Sequence, residues 1–178
     1  IGYRFAQRFP ERLSHLVLAG VMDSIPDHVR PPMERAMALA AAGRMEEFAD
    51  LTLQSLLCQD PTRTIARRTS VERAMRHSLV RMSGSDLRRF IWNSQRLLDH
   101  PKLDLSRPPT VPTLVFTGEH DPFTPPERCR HVAEHIPGAR FTTIDQADHV
   151  FHLQRFDQTV ALLMQFVQGR LSERSEAA

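Results

Sequence analysis

Cysteine is scarce: only Cys58 and Cys129 occur in the chain. Two thiols without metal-ligand spacing exclude a disulfide-stapled scaffold and a zinc module, and make reduced, cytoplasmic thiols the expectation. Long apolar runs are also missing. The longest, Leu16 to Met22, falls far short of the roughly 20 residues that cross a bilayer, so no membrane span is expected. Neither sign of charge dominates: 23 Lys and Arg oppose 21 Asp and Glu, a net charge of +2, so no global attraction to nucleic acid follows. Basic charge is almost all arginine, with Lys102 the only lysine. The chain opens at Ile1 rather than methionine, so its natural start, with any secretory leader, is expected to lie upstream.

What is present suits one globular domain. The length is 178 residues, with 41% apolar and 25% charged residues, enough to enclose a core. Val111 to Gly118 is β-branched, aromatic and apolar throughout, the pattern of a strand buried on both faces. It leads straight into Glu119-His120-Asp121-Pro122, and an acid there sits on the rim where parallel sheets bind ligands. Ala139 to Ile144 reads as a second strand, followed by Asp145-Gln146-Ala147-Asp148-His149. Leu13 to Gly20 is another buried parallel strand candidate, preceded by a helix from Gly2 to Phe9 that Pro10 stops. The fold class is therefore α/β, a partial doubly wound parallel sheet. Asp121 and His149 would then meet on one rim as the orienting acid and the base of a triad. A turn aspartate before Pro122 and a loop histidine are the plainer readings.

Between Val21 and Ser106 the pattern changes. Val21 to Pro32 is a loop leaving the sheet. Met33, Met37 and Ala40 mark one helical face, and Phe48, Leu51 and Leu56 a second. Val71, Met75, Leu79 and Met82 mark a third; Leu87, Ile91, Ser94 and Leu98 mark a fourth. A helical insertion between two strands is expected to cap the site. Residues 23–106 form this cap, 1–22 and 107–171 the core, and 172–178 a disordered polar tail. The cap methionines either fill gaps or line an acyl-chain pocket. Met22, Met37, Met75, Phe123 and Val150 are the candidate substrate contacts. The arginines from Arg63 to Arg96 form either a solvated face or a dock for an acidic acyl carrier. Thr124-Pro125-Pro126-Glu127 predicts a capping box, with Thr124 as N-cap of a helix running to about Ile136. Phe156, Val160, Leu163 and Val167 predict a final helix packed on the sheet.

Gly118-Glu-His-Asp121-Pro-Phe-Thr-Pro125, the Asp148-His149 pair and the closing helix resemble the C-terminal half of an α/β-hydrolase. Ile1-Gly-Tyr-Arg-Phe-Ala-Gln-Arg-Phe-Pro-Glu-Arg-Leu13 is similar to the helix that follows that family's nucleophile elbow. The order of acid then histidine matches the family's Ser…Asp…His order. No G-x-S-x-G occurs in the chain; Met82-Ser-Gly-Ser-Asp86 lacks the flanking glycines. The resemblance therefore implies a fragment whose nucleophile lies roughly half a dozen residues before Ile1, with the N-terminal half of its own fold upstream. It implies no metal or cofactor, and cleavage of a carboxylic ester or thioester by a Ser-Asp-His triad. Asp145 and Asp148 compete as the acid, His120 and His152 as the base. Asp148 stands where family members often have glycine, which places a negative charge beside the base. A 3-hydroxyacyl-carrier transferase or thioesterase, an aspartate-nucleophile enzyme and a non-catalytic binding module are the alternatives.

Overall fold

The computed structural model describes residues 1–171; the predicted tail at 172–178 lies outside the described residues. Helix α1 (Gly2–Arg8) ends before Pro10, which opens a 3-10 turn at Pro10–Arg12. Strand β1 (Leu16–Ala19) begins later than expected, because Leu13 is held in that turn by its amide on the Pro10 carbonyl. It ends at Gly20, whose φ of 61° suits glycine. Four helices follow: α2 (Arg30–Ala41), α3 (Met45–Leu56), α4 (Arg68–Val80) and α5 (Gly84–Leu98). The chain returns in β2 (Thr113–Gly118), α6 (Pro126–Glu134), β3 (Arg140–Ile144), α7 (Phe151–Gln154) and α8 (Phe156–Val167).

The strands run parallel in the order β1-β2-β3, with Leu16 opposite Thr113 and Leu114 opposite Arg140. Every residue of central β2 is buried. β1 differs from the fully buried strand expected of it: Leu16 and Leu18 are buried, whereas Val17 is 37% exposed. Its inward residues join Tyr3 and Ala6 of α1 and Cys129 and Val132 of α6 around Val115. On the opposite face Leu114, Phe116 and Ile144 pack with Phe151 of α7 and Phe166 of α8. This sandwich fixes the strand ends, and with them the loops that carry Asp121 and His149.

The cap has its own core. Phe48 is fully buried among Ala36, Leu39 and Ala40, with its ring 4.9 Å from that of Phe90. Ser83 caps α5 by accepting from the Asp86 amide at 3.2 Å. Met45, Met75 and Met82 pack against the cap's apolar clusters, as ordinary gap-filling side chains do. Three arginines of the run pair with acids of the cap. Arg76 pairs with Glu46 and Asp50, Arg89 with Asp86, and Arg63 with Asp60.

Candidate active site

Gly118 ends β2 beneath the loop that carries His149. A Cβ at this position would collide with the backbone carbonyls of Ala147 and Asp148, so the absence of a side chain lets the two rim loops touch. They are then laced together. The Glu119 amide donates to the Ile144 carbonyl at 3.0 Å, and the His120 amide to the Ala147 carbonyl at 2.9 Å. The Glu119 carboxylate accepts from the amide of Gln146 at 2.8 Å, where φ is +51°.

Asp121 is 3% exposed and saturated with donors. Its Oδ1 accepts from the amides of Phe123 and Thr124, each at 2.8 Å. Its Oδ2 accepts from the hydroxyls of Thr117 and Thr124, each at 2.7 Å, and lies 2.9 Å from Nδ1 of His149. Burial penalises the carboxylate's charge, but the hydrogen bond and charge of His149, with the Thr124 donors, hold its pKa below the usual value. With Nδ1 donating to Asp121, the free lone pair of the imidazole is on Nε2. The ring stacks edge-on against Phe123 at 5.0 Å.

The other candidates face elsewhere. The Asp148 carboxylate is buried and accepts from the amides of Cys58 at 3.1 Å and Val150 at 3.2 Å, so it braces backbone rather than facing the imidazole. Asp145 accepts weakly from Gln158 at 3.5 Å. Nε2 of His120 lies 3.6 Å from Glu119. His152, held below its usual pKa by desolvation and the charge of His149, makes no hydrogen bond to Asp121 among the described residues.

A cavity of about 390 Å³ opens beside His149, lined in part by Ile1, Gly2, Gly20, Met22, Phe123 and Thr124. A second, of about 160 Å³, lies within the cap between Met33, Ala36, Thr52, Phe90, Ser94 and Phe123. Of the predicted substrate contacts, Met22 and Phe123 line these cavities. Met37, Met75 and Val150 line neither. Met37 is buried within α2, and Met75 and Val150 pack with Leu53, Leu57 and Val71 at the junction of cap and core. Thr124 is likewise not the predicted N-cap: Pro125 holds that position and no side-chain cap forms. Its hydroxyl is drawn to Asp121 instead. Thr117, Thr124 and Gly20 are the participants that sequence reasoning missed. The Asp121-x-x-Thr124 spacing, which suits an aspartate-capped turn, was the one available signal.

Residues 1–156 match the family model described as alpha/beta hydrolase fold. The chain belongs to the α/β-hydrolase family. No curated protein matches it. Solved structures share the fold. An α/β-hydrolase enzyme, MGS-M2, from a Medee basin deep-sea metagenome library superposes with a TM-score of 0.76 at 17% identity, covering 98% of this chain and 62% of that one. The enol-lactonase of Burkholderia xenovorans gives 0.73 at 24% identity, covering 94% and 61%. A thermophilic esterase of Thermogutta terrifontis gives 0.71 at 19% identity, covering 94% and 60%. This α/β-hydrolase chain therefore spans about three fifths of the length of those proteins. Among its described residues no helix is long and apolar enough to cross a membrane, and no cluster of His, Cys, Asp or Glu could hold a metal ion.

Proposed function

We propose that this chain is the acid–base and cap portion of a hydrolase that cleaves carboxylic esters or thioesters through an acyl-enzyme. The observation that carries the reading is the 2.9 Å contact between His149 Nδ1 and Asp121 Oδ2 beside a cavity. In this reading His149 Nε2 takes the proton of an attacking hydroxyl and returns it to the leaving group. Asp121 fixes the tautomer and steadies the imidazolium that forms. The nucleophile comes from residues preceding Ile1. That agrees with the position of Ile1 and Gly2 in the wall of the same cavity as His149. Met22 and Phe123 flank the substrate. The esterase and the lactonase among the fold relatives support ester chemistry.

The test uses the complete protein and p-nitrophenyl butanoate. His149→Ala should lower kcat by roughly 10³-fold or more, and Asp121→Asn by a comparable factor. A fluorophosphonate probe should label the wild type and label His149→Ala far more slowly. Unchanged turnover in His149→Ala would refute the reading, and failure of the wild type to label would exclude a serine nucleophile.

A further inference from the structure

The cap meets the core through two connectors, residues 20–29 and 99–112, neither of which forms helix or strand. Both line the cavity at His149, the departing connector through Val21, Met22 and Ile25 and the returning one through His100 and Leu103. They are held unequally. The returning connector is fastened to α1: Arg4 donates to the carbonyls of Pro101 and Lys102, and Gln7 to those of Asp104 and Arg107. The departing connector has a single attachment. Between Met22 and His28, among the described residues, only Asp23 hydrogen-bonds or ion-pairs outside its own loop.

Asp23 is unusual for a loop carboxylate in being buried, with 9% of its side chain exposed. Its Oδ2 lies 3.2 Å from Nζ of Lys102, the only lysine in the chain. Its Oδ1 lies 4.0 Å from the guanidinium of Arg128 on α6 and accepts from the Ser24 hydroxyl at 3.3 Å. Its backbone carbonyl accepts from the Leu103 amide at 2.8 Å. One residue therefore joins the departing connector to the returning one and to α6, the helix that follows Asp121. A buried carboxylate that loses its cations is left with an uncompensated charge, whereas a loop without ladder hydrogen bonds opens at little cost. The ion pair thus decides where the departing connector sits.

We propose that Asp23 is a positioning residue, whose carboxylate clasps the two cap connectors through Lys102 and Arg128 and so fixes the cavity wall that holds substrate beside His149. The inference rests on the proposed hydrolase reading and adds a residue that governs binding rather than bond cleavage. The acid–base pair itself is held separately, because Asp121 takes its donors from Thr117, Phe123, Thr124 and His149.

The test uses the complete protein and p-nitrophenyl butanoate. Asp23→Asn keeps the shape and removes the charge. It should raise KM roughly tenfold and leave kcat within about twofold, the mark of lost binding rather than lost chemistry. Lys102→Met should do the same, and since that side chain is 70% exposed its removal does not threaten the fold. Lys102→Arg keeps the charge and should keep the wild-type KM. Combining Asp23→Asn with Lys102→Met should add little to either change alone, because both break one interaction. Hydrogen exchange needs no catalysis: it should quicken at the Leu103 amide in Asp23→Asn and stay slow at Phe48. A wild-type KM in Asp23→Asn or Lys102→Met, or a kcat that falls as far as kcat/KM, overturns the inference. Unchanged turnover in His149→Ala would instead overturn the hydrolase reading, while exchange at Leu103 still decides whether Asp23 clasps the connectors.

Discussion

Asp121 shows how a single residue's environment decides its chemistry. An aspartate before a proline is ordinary turn material, and here it does make a turn, through the amides of Phe123 and Thr124. The same carboxylate, buried against Thr117 and Thr124, also holds His149. Because its pKa is lowered in the folded state, the unfolded chain binds the extra proton first as acid is added. Its contribution to stability is therefore complete above the ordinary carboxylate range near 4 and is lost as pH falls through the depressed folded value. Urea melts across that acid range should show stability falling steeply in the wild type and less steeply in Asp121→Asn. The two thiols should differ as well. Burial pushes the Cys129 thiol up to about 12, whereas Cys58 is half-buried. The thiolate is the reactive form, so iodoacetamide should modify Cys58 in the native protein and spare Cys129 until urea is added. Equal labelling would contradict the structure.

At the scale of elements, the strand ends matter more than the strands. β2 and β3 are ordinary parallel neighbours, but Gly118 lets the loops beyond them touch. Gly118→Ala would force the Asp148 carbonyl aside and with it the adjoining His149. The expected outcome is a loss of activity in the complete protein comparable to that of Asp121→Asn, with a smaller change in far-ultraviolet circular dichroism. Wild-type activity in Gly118→Ala would show that the two loops do not need this close approach. The cap helices, by contrast, follow their own periodicity. The predicted cap faces lie on observed helices except for Met82, which falls beyond the end of α4 at Val80, and Phe48 stands at the centre of their packing because a three-to-four residue spacing buries one stripe of any helix.

At the scale of the molecule, cap and core are joined at the loop that carries His149. The Ala66 amide donates to the Gln146 carbonyl at 2.8 Å, the Cys58 amide to Asp148, and Val150 packs among Leu53, Leu57 and Val71. Asp148→Ala strips the acceptor from the half-buried amide of Cys58 and the buried amide of Val150, and should cost about 1–3 kcal/mol of stability. Hydrogen exchange should quicken at Cys58 and leave Phe48 protected. Uniform quickening across the cap would mean that Asp148 acts on the whole fold rather than on this seam.

The amino-acid order alone determined the class of fold, the insertion of four helices between two strands, and the pairing of Asp121 with His149. Burial on both faces and helical periodicity are local properties, and each leaves its trace in a short window of residues. Tertiary structure alone decided the rest: that Thr124 turns to Asp121 instead of capping a helix, that Asp148 braces the cap, and that Met37, Met75 and Val150 pack within the cap and at its junction with the core. A hydroxyl or thioether has several possible partners of similar strength within reach. Which one it takes depends on segments far away in the chain, and no local pattern records their arrival.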